Sequence, residues 1–220
     1  MPIFFYIEVI GLLLATFLYK DLKATKMVYF IPFLLLTVIV ESIGFLARLY
    51  NIGNKNYWIY NIFNNIEFFF YAYLFYLNFN APALKKIVLY FIPLLVIFSI
   101  TNYIFFQGID RFHTYTLLFG SFFMVFFCCC YFYEWVLPEQ ITQNLLKQPF
   151  FWICVGLLLF YLGSVIINAL FEYLRSTDML EQGIRIYRFI NQSLNIVLYT
   201  SFSISFILCR SNRTNSSSLL

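Results

Sequence analysis

The sequence predicts an all-α fold, a polytopic membrane protein with seven transmembrane helices. Three observations carry that expectation. Hydrophobic residues make up 62% and charged residues 11% of the 220 positions, a balance that soluble globular domains do not show. The apolar residues gather into seven runs, at roughly 3–19, 27–49, 57–77, 87–107, 114–136, 149–173 and 185–209, each near the ~20 residues that cross a hydrocarbon core. The connections are short, the longest about a dozen residues around 138–148 and 175–185, which leaves no room for a separate soluble domain. One membrane domain over 1–210 and a disordered cytoplasmic tail over 211–220 account for the chain.

The first run has no basic residue before it and no small-residue cleavage pattern after it, so it reads as a span rather than a signal peptide. Lys20, Lys23 and Lys26 follow it and favour an external N-terminus, because basic flanks stay cytoplasmic. With that orientation the cytoplasmic side also collects Lys85, Lys86, Lys147, Arg210 and Arg213. The outer loops hold Lys55, Arg111, Arg175 and Arg185, diluted by Asp110, Asp178 and Glu181. The expected topology is therefore N-terminus outside and C-terminus cytoplasmic, in a cell inner membrane. The second run carries Thr37, Glu41, Gly44 and Arg48 at helical spacing, and the third carries Tyr60, Asn64, Glu67 and Tyr71. The fourth contains Pro93, the one proline well inside a run, and the fifth contains Cys128, Cys129 and Cys130. The sixth aligns Tyr161, Ser164, Asn168 and Glu172. The seventh aligns Arg188, Asn191 with Gln192, Asn195, Tyr199 and Ser203. A faint echo of Tyr60, Asn64 and Asn65 in Tyr187, Asn191 and Gln192 is compatible with a duplicated three-helix unit around a linker helix.

Several chemistries are excluded by what these runs lack. Three consecutive cysteines on a helix point about 100° apart and cannot ligate one metal together. The lone His113, expected to be interfacial at a loop-to-helix junction, leaves no histidine-rich zinc site. The seventh run has no lysine for a retinal Schiff base, and no phosphate-binding glycine loop or nucleophile elbow occurs. Paired Gly or Pro interruptions, the mark of broken transporter helices, do not occur either. No cofactor is implied. The net charge of +4 is accounted for by the cytoplasmic flanks and needs no nucleic-acid partner. The sequons at Asn212 and Asn215 would stay unmodified on the cytoplasmic side.

Ionisable and amide side chains within apolar runs are costly and therefore the candidates for function. These are Glu8, Glu41, Arg48, Asn64, Glu67, Asn168, Glu172, Arg188, Asn191 and Asn195. Lipid cannot satisfy them, so their faces are expected to look inward. In the N-out orientation all except Arg48 fall between the membrane centre and the outer surface, which predicts a polar outer-half cavity above an apolar plug. Four glutamates against two arginines leave an acid surplus suited to a proton relay, a carboxylic hydrogen-bond donor or a cation site.

Four stretches together resemble an uncharacterised family of small seven-helix integral membrane proteins of Bacteroidetes-type bacteria. They are Glu41-Ser-Ile-Gly, Tyr60-Asn-Ile-Phe-Asn-Asn-Ile-Glu-Phe, Phe151-Trp-Ile-Cys-Val-Gly-Leu-Leu-Leu-Phe-Tyr and Asn191-Gln-Ser-Leu-Asn-Ile. The resemblance implies the fold and brings no activity. The chain is more loosely similar to the seven-helix membrane regions that precede histidine kinases, which implies a separate membrane or cytoplasmic signalling partner besides the lipid bilayer. The leading expectation is a module that binds or senses a small ligand or cation. The alternatives are a lipid-acting enzyme using Glu41 and Glu67 as acid and base and a proton-coupled small-solute transporter.

Overall fold

The structure, a computed structural model, describes residues 3–50, 57–108, 111–136, 144–176 and 180–217. Eight α-helices account for most of them, and no strand occurs among the described residues. They are α1 (Ile3–Phe17), a single turn α2 (Tyr19–Leu22), α3 (Phe30–Leu49), α4 (Tyr57–Asn78), α5 (Pro82–Thr101), α6 (Thr114–Val136), α7 (Pro149–Ser176) and α8 (Leu180–Ser217). Short 3-10 turns precede α3 and α7, and α5 runs on into a π-helical turn, Asn102–Gln107.

Five helical stretches are long and apolar enough to cross a membrane: Lys26–Ala47, Pro82–Phe106, Thr114–Trp135, Pro149–Leu170 and Gly183–Thr214. The chain is thus a multi-pass membrane protein that contacts lipid. Among the remaining helices, α1 is apolar but has only 15 residues. The 22 residues of α4 are long enough, but Asn61, Asn64, Asn65 and Glu67 lower its hydropathy.

Residues 1–31 and 142–220 form one compact unit and residues 32–141 a second. In the first, α8 packs along α7 and against α1, and small residues set the distance between helices. A Cβ at Gly156 of α7 would lie 2.8 Å from the Ser201 Cβ and 3.4 Å from the Leu198 carbonyl oxygen of α8. Gly11 of α1 lies against Ser203. Phe30 closes this core by packing on Phe202 and Phe206, with ring centroids 4.9 and 5.5 Å away.

The second unit buries an aromatic column from three helices. Phe75 of α4, Phe79 just past its end, Phe91 of α5 and Phe127 of α6 are all within 2% of complete burial, and Phe91 meets Phe127 edge-on at 5.5 Å. Gly120 of α6 leaves the space that the Phe68 ring occupies. Phe33 of α3 stacks on Phe70 at 4.0 Å. At one end Glu134 of α6, 7% exposed, accepts from the amides of Ala81 (2.7 Å) and Asn80 (3.2 Å). Its carboxylate thereby satisfies backbone donors at the start of α5, where Pro82 has none to offer.

The C-terminal segment departs from expectation. Helix α8 continues to Ser217, so 211–217 are helical where the sequence suggested a disordered tail. Side chains hold these turns to neighbours within the unit. Asn212 Nδ2 donates to the Lys147 carbonyl (2.9 Å), and Arg213 donates to the Lys20 carbonyl (2.7 Å) and to Asp21 (3.1 Å).

Candidate functional site

Helix α4 carries two amide-bearing faces about 100° apart. One holds Asn64 and Glu67, the other Asn61, Asn65 and, farther on, Phe68. Both faces turn into the unit: Asn61 is 6% exposed and Phe68 fully buried on one, and on the other Asn64 and Glu67 are half-buried in line with Tyr71, 1% exposed, and with Tyr60, which packs on Gly44 of α3. Asn61 ties α4 to the segment leading into α6. Its Nδ2 donates to the Arg111 carbonyl and its Oδ1 accepts from the His113 amide, both at 2.9 Å. One turn on, Asn65 Nδ2 donates to the Asn61 carbonyl (2.8 Å), and Asn65 Oδ1 accepts the Ser99 hydroxyl of α5 (2.7 Å). These bonds brace α4, α5 and the start of α6 around a cavity of about 370 Å³. Trp58, Asn61, Ile62, Asn65, Ser99, Ile100, Tyr103 and His113 line it.

The floor beside the cavity is built from unusual backbone. The π turn places Asn102, 1% exposed, where its Nδ2 donates to Gln107 Oε1 (2.9 Å) and Thr116 Oγ1 (3.0 Å). Asn102 Oδ1 is buried with no hydrogen-bond partner among the described residues. The turn ends at Gly108, whose φ of 63° falls in the left-handed region that glycine adopts without strain. That reversal brings the Gly108 carbonyl to 2.8 Å from His113 Nε2. A carbonyl only accepts, so Nε2 carries the hydrogen and a neutral ring keeps Nδ1 as an acceptor. Such single-turn π insertions occur frequently at functional sites.

His113 does stand at a loop-to-helix junction, directly before Thr114. It is 6% exposed and built into this frame. Its signal was the chain around it: a glycine, a histidine and a threonine before a long apolar helix. Glu134 was missed as well, for it stands alone among aromatic residues with no polar neighbour at helical spacing.

The ten residues singled out from the sequence are divided between the two units. Glu8, Asn168, Glu172, Arg188, Asn191 and Asn195 belong to the first, and Glu41, Arg48, Asn64 and Glu67 to the second. Glu8 is completely buried on the face of α1 that also carries Gly11 and Ala15. Asn168 and Asn195 are half-buried, and each donates back to the carbonyl one turn earlier, Ser164 (2.7 Å) and Asn191 (2.8 Å). Asn191 is half-buried too, as is Glu41 on α3. The side chains of Arg48 and Glu172 lie outside the described residues. Arg188 corrects the expected inward-facing stripe, for it is exposed. The buried face of α8 runs through Leu198, Phe202, Ser205 and Cys209, and Arg188 lies roughly 80° around the helix from Leu198. None of the ten lines the cavity.

No group of three or more His, Cys, Asp or Glu side chains among the described residues is placed to hold a metal ion. Cys128 is buried, Cys129 exposed and Cys130 intermediate, as three successive helical positions require. Comparison of the chain with protein-family models, with curated proteins and with solved structures finds no match.

Proposed function

We propose that this protein is a membrane-embedded module that binds a small ligand and passes the bound state to a separate signalling partner. The observation that carries this reading is the cavity between α4, α5 and the start of α6. Its volume of about 370 Å³ falls in the range of small-molecule sites, ~300 to 1,000 Å³, and its lining is mainly apolar with a few placed polar groups. The frame is prepaid: Asn61, Asn65 and Ser99 are hydrogen-bonded to one another's elements before any ligand arrives. In this proposal α1 and α4 cross the bilayer with the five longer stretches, the N-terminus lies outside and the membrane is the inner one. The lysines between α1 and α3 support that orientation.

A thermal-shift screen of the purified protein against small neutral, anionic and cationic compounds tests the reading. A ligand present at a hundred times its Kd stabilises by ~2.7 kcal/mol, or about 5 to 10 °C for a chain of this size. The gain should vanish when Ile100→Phe fills the cavity. A shift that survives Ile100→Phe, or no shift with any compound, refutes it.

A further inference from the structure

Accepting that the cavity of α4, α5 and α6 is a ligand site, we propose that its ligand is an uncharged amphiphile with an apolar body and one hydroxyl or N–H donor. Size comes first. An apolar cavity of ~150 Å³ holds benzene, so one of about 370 Å³ takes a molecule of roughly fifteen non-hydrogen atoms. Charge comes next. No Lys, Arg, Asp or Glu is among the lining residues, and an ion brought there would lose its hydration with no counter-charge in return. That disfavours carboxylates, phosphates and ammonium groups.

The polar walls then choose the head group. Ser99 has a single hydrogen and gives it to Asn65 Oδ1, so its oxygen meets an occupant as an acceptor. His113 gives its Nε2 hydrogen to the Gly108 carbonyl, which leaves Nδ1 as the acceptor of a neutral ring. The Trp58 indole and the Tyr103 hydroxyl add donors to the same lining, so a hydroxyl or N–H head group, which satisfies the two acceptors, meets these walls better than a group that only accepts. Trp58, Tyr103, Ile62 and Ile100 supply the surface for its apolar remainder.

Trp58 makes the site readable by fluorescence. With Trp135 and Trp152 replaced by Phe, Trp58 is the only tryptophan of the three in the chain, and bromine close to it quenches its emission. Three probes of one chain length are titrated into the full chain in detergent: ω-bromodecanol, ω-bromodecyl methyl ether and ω-bromodecanoate. The alcohol should quench with a saturable phase above the linear partitioning background. The ether, which has no donor, and the carboxylate should bind about fivefold more weakly or worse. His113→Phe should bring the alcohol down to the level of the ether, and Ile100→Phe should abolish saturation. If His113→Phe does not fold, as judged by circular dichroism, the comparison of alcohol with ether in the parent protein decides alone. Equal saturable binding of all three probes, or preference for the carboxylate, overturns the ligand class and leaves the cavity as a binding site. Linear quenching by every probe in a folded protein overturns the site itself.

Discussion

Asn61→Ala should be among the most destabilising single changes in α4, although the substitution improves helix propensity. Asn61 is 6% exposed and makes two side-chain hydrogen bonds at 2.9 Å, one to the Arg111 carbonyl and one from the His113 amide. Each bond contributes ~1 kcal/mol net, and a buried backbone group left without a partner costs ~1 to 3 kcal/mol. The His113 amide is the more exposed to that cost, because its residue is itself buried. A loss of about 3 kcal/mol follows, equivalent to roughly 6 to 12 °C in melting temperature for a chain of this length. The control is Asn64→Ala, three positions on, where a half-buried side chain should cost no more than ~1 kcal/mol. Asn61→Asp should recover part of the loss, since a carboxylate accepts from the His113 amide but cannot donate to the Arg111 carbonyl. Melting curves of the three variants in one detergent give the comparison. If Asn61→Ala and Asn64→Ala melt within about 2 °C of each other, the bracing role of Asn61 is wrong.

Glu134→Ala should cost about 2 kcal/mol by uncapping the amides of Asn80 and Ala81, and Glu134→Gln, which keeps one acceptor, should cost less; chemical denaturation would order the two. Gly120→Leu should force the Phe68 ring out of its place and destabilise by ~1 to 3 kcal/mol or more. Gly108→Leu meets open space, but its φ of 63° with ψ of −170° is a region essentially confined to glycine and should cost ~1 to 3 kcal/mol. Arg213→Ala should change stability by less than ~1 kcal/mol, because the ion pair to Asp21 is solvent-exposed. Single cysteines at positions 55 and 85, in a background without native cysteines, should react with an impermeant thiol reagent from opposite faces of the membrane, with position 55 reacting from outside; labelling of position 85 from outside would reverse the orientation.

The helices were legible because a run of twenty apolar residues has few alternatives to an α-helix, and each of the seven runs contains one. Their ends were less so. Helix α5 begins at Pro82, ahead of two lysines that a hydropathy reading places in a loop, because proline suits the first helical position and Glu134 from another helix caps the turn. The cavity lies one residue of helical phase from the stripe that the spacing picked out. Tyr60, Asn64 and Glu67 satisfy the spacing rule as well as Asn61, Asn65 and Phe68 do, and spacing alone cannot say which of the two stripes borders a cavity. That depends on contacts such as the Ser99 hydroxyl with Asn65, thirty-four positions apart in the chain. The π turn and the cavity left still less trace. The turn depends on Asn102 meeting Gln107 and Thr116 together, and the cavity is a matter of where side chains stop.

Helix α8 is a lever anchored at one end. At ~1.5 Å per residue its 38 residues form a rod of about 57 Å, nearly twice the ~30 Å of a hydrocarbon core. Gly156 of α7 admits the Leu198 carbonyl and the Ser201 side chain of α8, and Gly163 admits the Leu194 side chain, so the two helices interlock over Leu194 to Ser201. Beyond Ser201 the rod is anchored, with Phe202, Phe206 and Cys209 buried and with Asn212 and Arg213 donating to the Lys147 and Lys20 carbonyls. The opposite arm runs about 21 Å from Leu194 to Leu180, and Ile184, Arg188 and Phe189 along it are exposed. A tilt of about 5° of that arm moves its tip by roughly 2 Å without breaking one hydrogen bond inside the rod.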